Sequence, residues 1–152
     1  MSKKERTLVL LKPDAIQRGL AGNIVNRIES RGLKIVAIRL LKITKDLANK
    51  HYAAHVDKAF FGPLIQSITS SPVIAIIFEG STAIETVRKT MGDTDPTEAS
   101  PGTIRGDMGV DIGHNLIHGS DSLEAAKKEI DLYFTPDDIV GYSRSVDEWI
   151  ED

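Results

Sequence analysis

Pro72-Val73-Ile74-Ala75-Ile76-Ile77-Phe78 sets six apolar residues in a row behind a proline, a run too continuous to leave one face wet. It is read as a central strand covered on both sides, and the chain is read outward from it. Upstream, Leu33 to Leu41 is β-branched and apolar and predicts a second strand. Leu8 to Leu11 predicts a shorter one, stopped by Lys12-Pro13. Asp14 and Gln17 stand at capping-box spacing and predict a helical turn that Gly19 interrupts. Ile24, Val25 and Ile28 recur at helical spacing until Arg31-Gly32 ends the helix. Thr44 or Asp46 can cap a helix to about His55, and Phe61 to Ser70 predicts another. Downstream, Thr82 and Glu85 form a further capping box, with Ile84, Val87 and Met91 as the buried stripe.

Residues 92–114 break the pattern, with five glycines, two prolines and little periodicity. A loop this long in a compact domain is usually functional or disordered. It leads into Asn115-Leu116-Ile117-His118-Gly119-Ser120-Asp121-Ser122. Two apolar residues leave a buried strand, His118 follows at once, and Gly119 permits a tight turn or the close approach of a ligand. Asp121 and Glu124 then open a helix with Leu123, Ala126 and Ile130 on one face. A histidine at such a strand-to-helix corner is rigidly held yet reachable. Residues 134–152 form a tail expected to pack on something, because Trp149 is costly to leave wholly exposed. About four strands alternating with helices fit a small sandwich of helices on a sheet.

The 152 residues are expected to form one domain, 1–152, with 41% hydrophobic and 27% charged residues. A net charge of −3 argues against broad, charge-driven nucleic-acid binding, though a local basic pocket needs only a few converging cations. There are no cysteines, which excludes disulfides, zinc–thiolate sites and cysteine nucleophiles. Met1-Ser2-Lys3-Lys4-Glu5-Arg6 lacks the apolar core of a signal peptide, and no apolar run approaches a membrane span; a cytoplasmic enzyme is expected.

The corner at 115–122 resembles the active-site signature of nucleoside diphosphate kinases. The resemblance extends through Glu5-Arg6-Thr7-Leu8-Val9-Leu10-Leu11-Lys12-Pro13-Asp14, Gln17-Arg18-Gly19-Leu20, His51-Tyr52, Phe60-Phe61, Pro101-Gly102-Thr103-Ile104-Arg105-Gly106-Asp107 and Trp149. It covers the chain from about residue 5 to the C-terminus, with its motifs in order. It implies an α+β fold, a ferredoxin-like βαββαβ sandwich with a four-stranded antiparallel sheet, which the pattern alone leaves open. It also implies γ-phosphate transfer from a nucleoside triphosphate to a nucleoside diphosphate, with low base selectivity and acceptance of both ribose and deoxyribose.

No G-x-x-x-x-G-K-[ST] segment is present, so phosphates would have to be held by side chains. Lys12, Arg88 and Arg105 are the candidate cations. Without the resemblance, Lys12 reads as a solvated lysine, Arg88 as a partner of the helix dipole and Arg105 as a clasp within its loop. The resemblance assigns all three to the nucleotide, with Thr94 adding a hydroxyl. It makes His118 a nucleophile that forms a phosphohistidine, through Nδ1, in a ping-pong cycle. Glu129, on the helical stripe of the cap, would orient that histidine; otherwise it is a surface glutamate. Tyr52 would lie against the histidine and the phosphate, and Asn115 would bind the sugar 3′-hydroxyl. Phe60 and Ile112, with Leu64 nearby, would sandwich the base, core packing being their plain alternative.

No carboxylate cluster marks a permanent metal site, and Mg2+ is expected to arrive on the nucleotide phosphates. His51 and His55, spaced i, i+4, lack a convincing third ligand. A homo-oligomer is implied, a hexamer being favoured by the tail with Trp149. His114, Ser100 and Ser71 depart from the family pattern, at positions that bear on loop, turn or subunit geometry. The rivals are a non-catalytic nucleotide sensor or scaffold of the same family, and a phosphohydrolase using His118.

Overall fold

The computed structural model describes residues 4–152; Met1-Ser2-Lys3 of the charged opening lie outside them. The elements are β1 (Glu5–Leu11), α1 (Pro13–Gln17), α2 (Ala21–Glu29), β2 (Lys34–Leu41), α3 (Lys45–His51), α4 (Phe61–Ile68), β3 (Val73–Gly80), α5 (Ala83–Met91), α6 (Ile104–Met108), β4 (Ile117–Gly119) and α7 (Leu123–Tyr133). The strands form one sheet in the order β2-β3-β1-β4, every neighbour antiparallel. This is the α+β sandwich that the resemblance implied.

Both faces of the sheet are covered, which explains the unbroken apolar run in β3. In β1, Leu8 and Leu10 point into one core with Ala48 of α3, Ile65 and Ile68 of α4, and Tyr133 of α7. Val9 and Leu11 point into the other, with Ala15, Ile24, Val87, Met91 and Ile104 from α1, α2, α5 and α6. Each such valine, leucine, isoleucine or methionine taken from water contributes about 1.5–3 kcal/mol, so the inner strands are the most securely held part of the molecule. In β2 the register slips between Ile35 and Ala37, a bulge at Val36.

Several local expectations change. The helix expected to reach His55 stops at His51, and a 3-10 turn at Ala53–His55 continues the path. Thr44 rather than Asp46 caps α3, accepting from the Leu47 amide. Ser122 rather than Asp121 caps α7, accepting from the Ala125 amide. The Asp14–Gln17 and Thr82–Glu85 boxes do not form. Lys12 and Pro13 begin α1, and the Glu5 carboxylate meets the Ile84 amide at the start of α5. The glycine-rich stretch holds a helix, α6, because Thr103 accepts from the Gly106 amide and starts a turn there. On α5 the deepest residues are Ala83, Val87 and Met91, with Ile84 only partly covered.

The tail runs along the first half of β2: the Val140 amide bonds the Val36 carbonyl, Tyr142 bonds the Ile35 carbonyl, and Lys34 bonds the Tyr142 carbonyl. Trp149 is not what it packs with. That side chain is 83% exposed, so the cover expected for it is not found within the described chain.

Candidate functional site

The chain reaches β4 through a strained residue. Leu116 is fully buried with φ at +72°, a left-handed conformation that side chains other than glycine adopt at a cost of about 1–3 kcal/mol. Two contacts hold it there: its amide donates to the Asp14 carboxylate at 3.0 Å, and its carbonyl accepts from the Lys12 amide at 2.8 Å. The turn after β1 therefore clamps the entry to β4. His118 pairs with Leu10 across the ladder, so it points to the face on which α3 and α7 pack. Ile117 and Gly119 point the other way.

Gly119 is small for a different reason from the one read in the sequence. A Cβ there would meet Met91 Sδ at 2.6 Å and Val87 Cγ1 at 3.0 Å. The close approach is by α5, and no left-handed turn is involved.

The Nε2 of His118 lies 2.7 Å from Glu129 Oε1, and Ser120 Oγ donates to the same oxygen at 2.9 Å. Burial alone would raise the Glu129 carboxyl. The hydrogen bond and charge of His118, with His51 and Ser120, outweigh it and hold the group below the usual carboxylate range. An ionised Glu129 accepts only, so His118 carries its ring proton on Nε2 and keeps the lone pair on Nδ1.

Three cations stand around this pair, in different states. Lys12 donates to Asn115 Oδ1 at 2.8 Å. Burial, reinforced by Arg105 and opposed by Asp14, pulls its ammonium down to about 8. Arg105 is buried, and its three nitrogens donate to the carbonyls of Asn115, Gly92 and Ile117 at 3.1, 3.1 and 2.6 Å. It clasps α6 to the approach of β4, which is the structural role weighed for it. Burial, with Arg88 nearby, pulls its guanidinium down to about 10. Arg88 is exposed and makes one long contact, to the Gly119 carbonyl at 3.4 Å. It lines an open cleft of about 770 Å3 together with Lys89, Thr94, Thr103 and Asp121.

Asn115 is buried between Lys12 and the Thr94 carbonyl, to which its amide donates at 3.0 Å. Tyr52 is buried and its ring stacks on His51 at 4.4 Å, with His118 6.4 Å away; its hydroxyl has no partner among the described residues. Burial raises that hydroxyl far above the ordinary tyrosine value. Phe60 and Ile112 are 49% and 61% exposed, whereas core packing would have buried them; Leu64 does pack against the core.

Comparison with known proteins decides the family. The nucleoside diphosphate kinase family model matches residues 5–139. The nucleoside diphosphate kinase of Listeria monocytogenes serotype 4a is 55% identical over 146 residues, 96% of this chain and 99% of that one. That of Archaeoglobus fulgidus is 50% identical over the same share of this chain and 97% of its own. The chain belongs to the nucleoside diphosphate kinase family. Among solved structures, the nucleoside diphosphate kinase of Halobacterium salinarum, in complex with CDP, superposes with a TM-score of 0.96 at 49% identity, covering 99% of this chain and all of that one.

The family is one of phosphotransferases, and its departures here are peripheral to His118. His114 is exposed; its backbone amide donates to the Asp111 carboxylate at 3.0 Å, and its ring Nδ1 lies 3.6 Å from the same oxygen. Ser71 accepts from Gln17 at 2.7 Å, tying α1 to the turn before β3. The Ser100 carbonyl accepts from Thr103 beneath α6. Four residues around the site are given no part in it by the sequence: Asp14, His51, Ser120 and Tyr133. Asp14 and Ser120 lie inside quoted motifs, but their partners are 102 and 9 residues away. The pairing of His51 with the Tyr133 hydroxyl at 2.7 Å spans 82 residues and has no local signal.

Proposed function

We propose that this chain transfers a γ-phosphoryl group between nucleotides through a phosphohistidine on His118. The observation carrying the proposal is the chain Ser120–Glu129–His118, which fixes one tautomer and leaves Nδ1 with its lone pair. Nδ1 attacks the γ-phosphorus, the bond to the β,γ-bridging oxygen breaks, and the nucleoside diphosphate departs. A second nucleoside diphosphate then takes the phosphoryl group from Nδ1 by the reverse displacement. The triphosphate would be handled as its magnesium complex, the ion supplying positive charge to the phosphate oxygens.

Arg88 and Lys12 supply the positive charge that the transferring group gathers, and Arg105, with two N–H groups left beyond its three carbonyls, adds a fixed charge behind them. Tyr52 bounds the pocket beside His118, its buried hydroxyl having no partner among the described residues. Asn115 and Lys12 meet the sugar, exchanging their mutual contact for it, and the Thr94 hydroxyl meets a phosphate. Phe60 and Ile112 grip the base by its faces, with Leu64 supporting Phe60. Apolar faces read no hydrogen-bond pattern, so discrimination among bases is weak. The CDP held by the Halobacterium salinarum relative supports a nucleotide in this fold.

The enzyme works as a homo-oligomer, a hexamer. The outer half of β2 leaves Ile38 and Leu40 exposed at 56% and 66%, and Trp149 stands clear of its own chain. Such apolar surface at a sheet edge is covered in stable assemblies.

Steady-state kinetics test the proposal. Varying ATP at several fixed CDP concentrations is expected to give parallel double-reciprocal lines, with His118→Ala inactive but still binding nucleotide. Intersecting lines, or turnover by the variant, would overturn it. Release of inorganic phosphate without CDP at the transfer rate would instead identify a phosphohydrolase.

A further inference from the structure

His51 is the nearest side chain to the His118–Glu129 pair that the reaction leaves unused. Its ring is 2% exposed and meets His118 edge-on, with centroids 4.6 Å apart. Its Nδ1 is bound to the Tyr133 hydroxyl at 2.7 Å. Its Nε2 is buried, has no hydrogen-bond partner among the described residues, and lies 3.8 Å from Glu129 Oε1. A buried nitrogen left unpartnered beside a carboxylate calls for an explanation. The histidine spacing offered His55 as its companion. The fold sends His55 to Phe60 instead, with ring centroids 5.4 Å apart.

We propose that His51, His118 and Glu129 form a binding site for a transition-metal dication of the zinc type, and that its occupation silences the enzyme. One ligand atom from each residue lies within 4.8 Å of the others. Two imidazoles and a carboxylate suit zinc, whereas magnesium prefers an all-oxygen shell, so the magnesium of the substrate does not compete here. Zinc–ligand distances of about 2.0–2.1 Å place tetrahedral donors about 3.3 Å apart. The 3.8 Å between Glu129 Oε1 and His51 Nε2 contracts toward that value, and the 2.7 Å to His118 Nε2 opens once the proton between them leaves.

The surroundings are those of a metal site. Tyr133 fixes the His51 ring through its far nitrogen, and Ser120 steadies the carboxylate. His118, 20% exposed, leaves the fourth position open to water. The consequence for catalysis rests on His118 acting as nucleophile. Zinc takes the Nε2 lone pair, the single ring proton moves to Nδ1, and the attacking lone pair is lost.

The test uses the full chain stripped with EDTA. Zinc chloride titrated in a calorimeter is expected to bind one ion per chain, and cobalt(II) to give a tetrahedral visible spectrum. His51→Gln should weaken binding at least 100-fold, and Tyr133→Phe about 10–100-fold. Bound zinc should block phosphorylation by magnesium–ATP, reversibly with EDTA, and each variant should resist inhibition in proportion to its lost affinity. If His51→Gln does not fold, Tyr133→Phe carries the test. No binding, or equal affinity in wild type and both variants, would overturn the site and mark any bound zinc as an adventitious ion only. Tight binding with undiminished phosphorylation would overturn the silencing. A metal-free protein that never becomes phosphorylated, yet binds zinc as described, would sink the nucleophile and leave the site standing.

Discussion

Under the proposed mechanism, Lys12 is the single residue that ties catalysis to pH. Its ammonium, buried beside Arg105, ionises at about 8, below the 10.5 of a free lysine. A depressed lysine means that the unfolded chain binds more protons between those two values, so stability rises from about pH 8 toward 10.5. Activity is expected to move the opposite way, because in the proposed mechanism a neutral Lys12 no longer attracts phosphate. The kcat/KM profile is therefore expected to fall above about pH 8 while thermal stability climbs, and Lys12→Met should flatten both alkaline trends. An unchanged profile in the variant would show that Lys12 is a bystander. Loss of kcat/KM from Lys12→Met should exceed tenfold at pH 7, about 1.4 kcal/mol of transition-state stabilisation or more.

Among the elements, β4 is the most dependent on its neighbours. It has three residues, enters through the left-handed Leu116 and lies against α5 with no space for a side chain at position 119. Gly119→Ala is expected to destabilise the fold by about 1–3 kcal/mol as Met91 and Val87 are pushed aside, read as a lowered denaturation midpoint. Adding Met91→Ala should recover part of that loss, since the two sites share one volume; a strictly additive pair would refute the packing account. This element also marks where sequence reading stops. Six apolar residues at 73–78 announced a doubly covered strand because burial of both faces is written in consecutive side chains. Helix α6 was hidden because one threonine cap and a five-residue turn make no periodicity. Ser122 displaced Asp121 as a cap because either fits the pattern and only the backbone path selects between them.

For the whole molecule, the four-stranded antiparallel sheet was implied by resemblance alone, and its order β2-β3-β1-β4 is read from the structure, since patterns of burial do not say which strands pair. The candidate site was legible where motif and contact coincide, as at His118. It was illegible where contact spans the chain, as between His51 and Tyr133. The uncovered Ile38, Leu40 and Trp149 belong to this scale too. Light scattering is expected to give about six chain masses, and Leu40→Lys with Trp149→Ala should reduce them; a monomeric wild type would contradict the assembly. The central claim is tested most directly by intact mass after incubation with magnesium and ATP alone. One acid-labile phosphate on His118, removed by GDP as GTP forms, is the expected result. An unmodified chain under conditions where ATP is bound would contradict it.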